Sequence, residues 1–322
     1  MMNRRTLLTG AVLGPLAAPA LVGLTVRPAE AQTRSSLPAV ERYRIGALSV
    51  TAMSDGFLPI EAETMQGTTP EVFAERLAAA RIDGTAHPTG VNVYLIETPT
   101  RRILVDAGAG SVMGPSLGRL KDQLDILGVT PESIDTLIAT HLHPDHIGGA
   151  FVNGATPFSA ATLVVSEVDR AFWTSAEMKA QAPEPFQPFF DLAAGTVAAF
   201  GERIKGISGE ADLGEGLTAV PLPGHTPGHM GIRMESEGAQ LLLWGDIIHV
   251  GPVQFADPGV TIAFDTDPDA ARATRTRVFD MVSTDGLMVA GTHIGFPGIG
   301  YVEAAGSGYR FVPAPYPYLS PL

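Results

Sequence analysis

The chain has 322 residues, of which 45% are hydrophobic and 17% charged, a composition typical of a globular protein with one large domain or two small ones. Its formal net charge of −13 argues against a nucleic-acid backbone as substrate. There is no cysteine, which excludes disulfides and thiolate ligands, so any metal site must be built from histidine, carboxylate and water.

The first 31 residues have the pattern of an export signal. Arg4 and Arg5 lie in a stretch that resembles a twin-arginine motif, and a mainly apolar run follows at 7–26. The sequence Ala-Glu-Ala at 29–31 offers small residues for cleavage. We therefore predict a signal peptide at 1–31, a single mature domain at 32–322, and a periplasmic or secreted protein with no membrane span after cleavage. An uncleaved membrane anchor is the alternative, because the apolar run is long enough to span a bilayer.

The first half of the chain is predicted to alternate between strands and helices. Apolar runs predict one or two strands at 43–45 and 48–51, and further strands at 91–96, 102–106, 134–139 and 161–166. Thr69 and Pro70 predict the start of a helix that ends near residue 80, and a second helix at 116–127 is closed by Gly128. Asp55-Gly56 predicts a turn. Residues 167–205 are predicted to be helical and are rich in aromatic side chains.

The second half of the chain is predicted to contain more strands. They lie at 217–222, 230–234, 240–244 and 287–290, the middle two forming a hairpin. Asp267-Pro268 predicts a helix that runs through about residue 282. A last hairpin is predicted around Gly306-Ser307.

Four potential metal ligands lie within six residues of one another at 141–146. An extended backbone can direct His141 and His143 to the same side, whereas Asp145 and His146 turn towards a second position after Pro144. Imidazole suits zinc and its neighbours, and a carboxylate adds the charge to hold a second ion. One such cluster cannot complete two metal sites, so further ligands are expected from elsewhere in the chain.

Three candidates for these further ligands are His225, Asp246 and His293. Like His141, each follows an apolar strand and has a glycine or threonine beside it. Strands that end at one edge of a sheet bring their last residues together, and small neighbours let the backbone approach closely. This shared position predicts one site at the edge of a sheet.

The three remaining histidines have less specific surroundings. His87 is predicted to be an ordinary histidine with its hydrogen bonds satisfied, and His229, which follows a Pro-Gly pair, is predicted to be structural. His249 lies three residues after Asp246. We predict that it lines the pocket without binding metal.

The pattern His-x-His-x-Asp-His, followed by Gly-His, Gly-Asp and Gly-Thr-His, resembles the metallo-β-lactamase superfamily. That resemblance implies an α/β fold, the four-layer αβ/βα sandwich, with two divalent metal ions, most simply zinc. It implies catalytic roles for Asp145 and Asp246, the latter bridging the two ions together with a water or hydroxide. The implied ligands are His141, His143 and His225 for one ion, and Asp145, His146 and His293 for the other.

Within the superfamily, the chain is most similar to the methyl parathion hydrolase branch and its lactone- and aryl-ester-hydrolysing relatives, such as dihydrocoumarin hydrolase. The similarity covers nearly the whole mature chain, and its most specific motifs lie at 114–120, 253–255 and 296–313. It implies export, a dizinc-type centre and a homodimer. Many true β-lactamases use a cysteine ligand, which this chain lacks.

Two residues of that branch's aromatic pocket wall are matched by Trp173 and Phe190, although core packing would also explain them. Met113 stands where methyl parathion hydrolase has a phenylalanine. His249, Ile262 and Phe264 stand where the phosphotriester-specialised members have leucine, threonine and leucine, and they look more like the lactone-hydrolysing relatives. His249 and Phe264 should narrow the substrate-binding pocket, so a flat bicyclic ester should fit better than a tetrahedral phosphotriester.

The sequence therefore predicts an exported dinuclear hydrolase that opens lactones and aryl esters through a metal-bridging hydroxide. Phosphotriesterase activity would be a side reaction, and the substrate a small molecule rather than nucleic acid. One alternative is a dedicated organophosphate hydrolase that uses the same site. A second is a non-catalytic metal-binding protein on the same fold.

Overall fold

The computed structural model describes residues 39–317, so the predicted signal peptide at 1–31 lies outside the described residues. The described part contains sixteen strands. They are β1 (Val40–Ile45), β2 (Leu48–Glu61), β3 (Met65–Gln66), β4 (Ala86–Glu97), β5 (Arg102–Val105), β6 (Thr136–Ile138), β7 (Thr162–Ser166), β8 (Ile204–Ile207), β9 (Ala211–Gly214), β10 (Leu217–Pro221), β11 (Met230–Ser236), β12 (Ala239–Leu243), β13 (Thr261–Ile262), β14 (Met288–Ala290), β15 (Ile299–Ala305) and β16 (Gly308–Pro313).

The same part of the chain contains eight α-helices. They are α1 (Pro70–Ala79), α2 (Leu120–Leu127), α3 (Pro144–Ile147), α4 (Glu167–Trp173), α5 (Ala176–Gln181), α6 (Gln187–Phe200), α7 (Gly251–Gln254) and α8 (Pro268–Asp285). None of the helices between residues 39 and 317 is both long and apolar enough to cross a membrane.

Two seven-stranded mixed sheets form the centre of the fold. The first has the strand order β1-β2-β4-β5-β6-β7-β8, and the second has the order β16-β15-β14-β12-β11-β10-β9. Strands β5 to β8 pair in parallel, as do β12 and β14. A small antiparallel pair, β3 with β13, joins segments that are distant in sequence.

The alternation of side chains along β12 separates two layers of the core. Leu241 and Leu243 face the first sheet in the cluster between the sheets, whereas Leu242 and Trp244 pack on the outer side against α8. Strand β5 divides in the same way, because Ile103 and Val105 point between the sheets and Leu104 points outwards.

Helices cover the outer face of each sheet. Leu124 of α2, Trp173 of α4 and Phe200 of α6 pack on the outer face of the first sheet, and Phe279 of α8 packs on the second. The order of layers is therefore helices, sheet, sheet, helix, which confirms the predicted αβ/βα sandwich.

The predicted helix boundaries are confirmed where a capping residue defines them. The Thr69 hydroxyl accepts a hydrogen bond from the Val72 N–H at 3.3 Å. Asp267 caps α8 by accepting from the Ala270 N–H at 3.0 Å. Gly128 ends α2 in the left-handed conformation, with φ of 67°.

The predicted turn at Asp55-Gly56 is wrong, because β2 continues through both residues to Glu61 and pairs with β4 along its length. The pairing shifts register between Ser54 and Gly56, which makes a β-bulge. The bulge directs the Asp55 carboxylate towards the backbone N–H groups of Ala109, Gly118 and Leu120, at 2.9, 3.0 and 2.9 Å. Asp55 is thus a bulge residue that holds the loop before α2.

Two predicted helices differ in length from those observed. Helix α2 begins at Leu120 rather than at 116, because Gly118 has φ of 84° and the chain around it is held by Asp55. The helical region predicted at 167–205 consists of α4, α5 and α6 and ends at Phe200. The breaks between these helices fall at 174–175 and at Pro183. Residues 204–207 were predicted to be helical but form strand β8, because they pair in parallel with β7.

We expect Asp55→Ala to lower the free energy of unfolding by about 2–4 kcal/mol, because it leaves buried N–H groups unpaired. Each unpaired group costs roughly 1–3 kcal/mol, and the costs of neighbouring groups need not add. Urea denaturation would measure the change. Asp125→Ala removes an exposed ion pair with Lys121 and should change stability by less than about 0.5 kcal/mol. Equal stability of the two variants would contradict a structural role for Asp55.

Candidate metal centre

The seven predicted ligands come from the ends of four strands. His141 and His143 follow β6, and the short helix α3 then carries Asp145 and His146. The other three residues follow β10, β12 and β14, and they are His225, Asp246 and His293. No member of the set is more than 8% exposed, so seven polar side chains are buried together.

Asp246 lies at the middle of this group. Its Oδ2 atom is 3.0 Å from Nε2 of His293 and 3.2 Å from Nε2 of His146. The same oxygen is 3.4 Å from Nε2 of His225 and 3.7 Å from Nε2 of His141. One carboxylate oxygen therefore faces histidines from both halves of the fold, as expected of a bridging ligand.

The remaining ligands divide into two groups around Asp246. Nδ1 of His143 lies 3.0 Å from Nε2 of His225, on the side of His141. Oδ2 of Asp145 lies 3.4 Å from Nε2 of His293 and 3.6 Å from Nε2 of His146. Two sets of three donor atoms result, each with its members within 4.8 Å of one another: His141, His143 and His225, and Asp145, His146 and His293.

Divalent cations fit this site, because several buried polar atoms have no other partner. Nε2 of His141, Nε2 of His146 and Oδ1 of Asp246 are buried and accept or donate no hydrogen bond within the described residues. A buried polar group without a partner is costly, and native proteins rarely leave one. Cations bound between these nitrogen and oxygen atoms would satisfy them. The donors, imidazole and carboxylate, also suit divalent metals.

The charge states of the histidines are consistent with a cation site. Burial lowers the pKa of His141 and of His143 well below the usual value, so both are neutral and offer lone pairs. Burial also acts to lower the pKa of His146, but Asp246, Asp145 and Asp106 together raise it well above the usual value. The carboxylates thus require positive charge beside them, which bound metal would supply.

Three ligand candidates are oriented by hydrogen bonds at their outer nitrogen, Nδ1. That of His146 bonds Asp106 Oδ2 at 2.8 Å, and that of His225 bonds Asp265 Oδ1 at 2.8 Å. Nδ1 of His293 bonds the carbonyl oxygen of Gly90 at 2.8 Å. Such outer partners fix the ring and turn the other nitrogen inwards, which is typical of metal-binding histidines.

A buried carboxylate joins the two loops that carry His143 and His225. Asp169 accepts the N–H of Leu142 at 3.1 Å and the N–H of Gly228 at 2.8 Å. Burial outweighs these hydrogen bonds and raises the pKa of Asp169 to about 6.

His229 has the structural role that was predicted from the sequence. Its Nε2 accepts the backbone N–H of Asp246 at 3.0 Å, while its Nδ1 bonds the carbonyl oxygen of Leu222 at 2.8 Å. Gly245 allows this contact, because a Cβ there would lie 2.5 Å from Nε2 of His229. His87 is buried and its Nδ1 lies 2.7 Å from the Thr89 hydroxyl, so it has a hydrogen-bond partner as predicted.

The seven ligand candidates together form the donor cluster. A cavity of about 140 Å³ opens directly onto it. Met113, His249 and Phe264, all predicted to contact substrate, line it. Phe189 also lines it, although the sequence identified that residue only as part of an aromatic-rich region. Asp145 is on the cavity wall, so this carboxylate faces the space that a substrate would fill.

Trp173 and Phe190 line a second cavity, of about 370 Å³, which shares His143 and Phe264 with the first. The Trp173 ring lies 5.0 Å from the His143 ring and 4.7 Å from the Phe190 ring, measured between centroids. Both residues also belong to the core on the outer face of the first sheet. The two interpretations of these aromatic residues, pocket wall and core, are therefore compatible.

Ile262 differs from the other predicted pocket residues in its position. It is fully buried and packs in a hydrophobic cluster with Ile60, Met65 and Phe73. It is absent from the walls of both cavities, whereas Phe264, two residues later, lines both.

The seven ligand candidates could be identified in the sequence, but most of the residues that hydrogen-bond to them could not. Asp106 could have been found, because it directly follows the apolar strand β5, as the ligands follow theirs. Asp265 and Asp169 lie 40 and 27 residues from their partners and in no recognisable motif.

Comparison with known proteins agrees with this arrangement. The Bacillus cereus N-acyl homoserine lactonase is 28% identical over 170 residues, which are 47% of this chain and 60% of that protein. The Bacillus thuringiensis enzyme of the same name is 25% identical over 211 residues, or 60% of this chain and 76% of that one. The match thus spans about three fifths of the length of the Bacillus cereus relative.

Solved structures resemble the chain over most of its length. The hydrolase AbOPH, of the beta lactamase superfamily, is 30% identical with a TM-score of 0.81, over 87% of this chain and 99% of that one. AidC, a dizinc quorum-quenching lactonase, has the same fold at 23% identity, with a TM-score of 0.81 and the same coverage. The sequence model of the Metallo-beta-lactamase superfamily matches residues 87–293, a range that contains all seven ligand candidates. The chain therefore belongs to the metallo-beta-lactamase superfamily.

Proposed function

We propose that this chain is a dinuclear metal-dependent hydrolase that opens lactones and aryl esters, with phosphotriesterase activity as a side reaction. The observation that carries the proposal is the set of seven buried donors at the floor of a small cavity with apolar walls. Similarity to N-acyl homoserine lactonases supports lactones as the substrate class. The motifs at 114–120, 253–255 and 296–313 support the methyl parathion hydrolase branch.

The size and charge of the cavity favour a neutral, flat substrate. Its volume is about 140 Å³, and Phe264 and His249 form part of its wall. A tetrahedral phosphotriester with two alkoxy arms needs more room beside the donor cluster. Within the described residues, the cavity wall includes no lysine or arginine that would bind an anionic phosphate group.

We assign one ion to His141, His143 and His225, the other to Asp145, His146 and His293, and the position between them to Asp246. Two divalent ions, when bound, would polarise the substrate carbonyl and lower the pKa of water, and zinc is the simplest choice for this donor set. Hydrolysis adds water to the acyl carbon, breaks the bond to the leaving oxygen and gives that oxygen a proton. In this proposal Asp145, whose carboxylate lines the cavity, accepts a proton from water and returns it to the leaving oxygen.

The apolar residues of the two cavities contact the substrate and keep water away from it. Met113, Phe189 and Phe264 exclude water from the space beside the donors and contact the flat face of the ester. Trp173 and Phe190 line the adjoining cavity, where a larger leaving group or acyl chain would extend past His143.

Zinc-loaded enzyme should open dihydrocoumarin with a higher kcat/KM than it hydrolyses methyl parathion, because the bicyclic ester fits the narrow cavity. Side-by-side initial rates on one preparation would measure this. The reverse ranking would identify a dedicated organophosphate hydrolase. Loaded enzyme that hydrolyses neither substrate would favour the non-catalytic alternative.

Asp246→Ala is the control that ties activity to the centre. It should lower hydrolysis by more than about 100-fold, since even the outer partners of metal ligands are worth roughly 10–100-fold. Asp285→Ala, which removes an exposed carboxylate at the end of α8, should leave the rates unchanged. Full activity in Asp246→Ala would mean that the reaction occurs elsewhere.

Asp265→Ala should weaken metal binding by about 10–100-fold, because Nδ1 of His225 loses its acceptor. Competition with a chromogenic chelator would give the affinity. Asp267→Ala, two residues away, removes the cap of α8 and should lower stability without changing metal affinity. A similar metal affinity in both variants would count against Asp265 as the residue that orients His225.

We also propose that the protein is exported by its first 31 residues. Arg4→Lys combined with Arg5→Lys should keep the precursor in the cytoplasm, as judged by cell fractionation, whereas the unmodified chain should yield a periplasmic or secreted protein that begins at Gln32. An unchanged distribution in the double variant would argue against a twin-arginine signal.

A further inference from the structure

His249 belongs to the donor cluster by distance. Its Nε2 lies 3.3 Å from Oδ2 of Asp246, as close as Nε2 of His146 at 3.2 Å. His225, Asp246 and His249 form a further group whose donor atoms lie within 4.8 Å of one another. His249 is only 4% exposed, so this nitrogen is held among the donors and away from bulk solvent.

The ring of His249 has neighbours on two sides within the cluster. It stacks on the His293 ring at 4.8 Å with an interplanar angle of 26°, and it lies 4.7 Å from the His225 ring. His225 and His293 belong to the two different ligand sets. His249 is therefore next to both proposed metal positions and on the side that faces the cavity.

The outer nitrogen of His249 distinguishes it from three of the other ligand candidates. His146, His225 and His293 each have an acceptor at Nδ1, whereas Nδ1 of His249 is buried with no hydrogen-bond partner in the described part of the chain. Metal-binding histidines almost always have such a partner, which orients the ring and strengthens the ligand. His249 has the position of a ligand but not the support of a permanent one.

The backbone of His249, by contrast, is held on both sides. Its N–H donates to Oε1 of Gln254 at 2.7 Å, and its carbonyl oxygen accepts the Thr89 hydroxyl at 3.0 Å. Gln254 also accepts the N–H of Val250 at 3.0 Å. These hydrogen bonds hold the backbone at His249, so an exchange of the ring would use its side-chain torsions.

We propose that His249 is an eighth, exchangeable metal ligand, a proposal that rests on the dinuclear centre proposed above. While the cavity is empty, its imidazole binds the ion held by His225 and Asp246. Because its Nδ1 is unsupported, the imidazole gives way when a substrate oxygen enters. The substrate oxygen would then take the position beside His225 and Asp246 that the His249 imidazole leaves.

Metal binding tests this inference without reference to substrate turnover. Wild type, His249→Phe and His225→Phe would be loaded with Co²⁺, whose visible spectrum depends on coordination number and ligand type. We expect His249→Phe to retain both ions but to show a changed spectrum. It should release one ion to a chelator about tenfold faster, because even the loss of a residue that supports a ligand lowers metal affinity by roughly 10–100-fold. His225→Phe, which loses a permanent ligand, should bind fewer ions.

Two outcomes would overturn the inference. A spectrum and release rate identical to wild type would make His249 a pocket-lining residue only, and a loss of ion stoichiometry equal to that of His225→Phe would make it a permanent ligand. Met113→Leu changes the same cavity wall without removing a donor, and it should match wild type in both readouts. His249→Leu and thermal unfolding of the metal-free proteins would separate ligand loss from misfolding. Failure of lactone hydrolysis in all of these proteins would bear on the proposed function and not on this one.

Discussion

The burial of Asp246 among histidines is the constraint on which the rest of the structure depends. A carboxylate and several imidazoles placed together away from water lose their hydration, and only mutual contact and a bound cation can replace it. The fold meets this demand by ending its strands at a common edge. Strands β6, β10, β12 and β14 each end three or four residues before a ligand candidate.

A second set of buried polar groups holds the ligand candidates in their positions. Asp106 and Asp265 hold the outer nitrogens of His146 and His225, and Asp169 joins the loops that carry His143 and His225. Each of these groups is itself buried, so each needs its own partners to be stable. Preorganisation of this kind is what lets a metal centre bind its ions with defined geometry, because the rings cannot relax into other hydrogen bonds.

The seven ligand candidates could be identified from the sequence because each lies in a recognisable local pattern. Four of them fall within residues 141–146, and the other three each follow an apolar strand beside a small residue. The fold class came from the family resemblance, since periodicity alone predicts strands and helices but not the order of layers. The order of layers was predicted because the histidine and aspartate motifs, and the intervals between them, resemble those of the superfamily.

What could not be predicted depends on contacts between distant segments. Asp55-Gly56 has the composition of a turn, yet pairing of β2 with β4 overrides it and makes a bulge whose carboxylate holds a loop more than fifty residues away. Ile262 lies in a cluster built from α1 and β3, so its place in the core follows from tertiary packing and not from its neighbours in sequence. Local sequence patterns identify the candidate metal ligands, but they do not identify the residues that hold those ligands in place.

The ligand candidates and the apolar residues of the cavity wall come from different parts of the fold. The seven ligand candidates lie close to strand ends, and several of them are held by buried hydrogen bonds. Met113, Phe189 and Phe264 lie on loops and on α6, outside that network. Phe264 lines both cavities, so its side chain is shared between the space beside the donors and the aromatic space behind His143. A change in that single ring would alter the shape of both spaces without removing any of the seven ligand candidates, so in the proposed function the choice of substrate depends on this part of the wall.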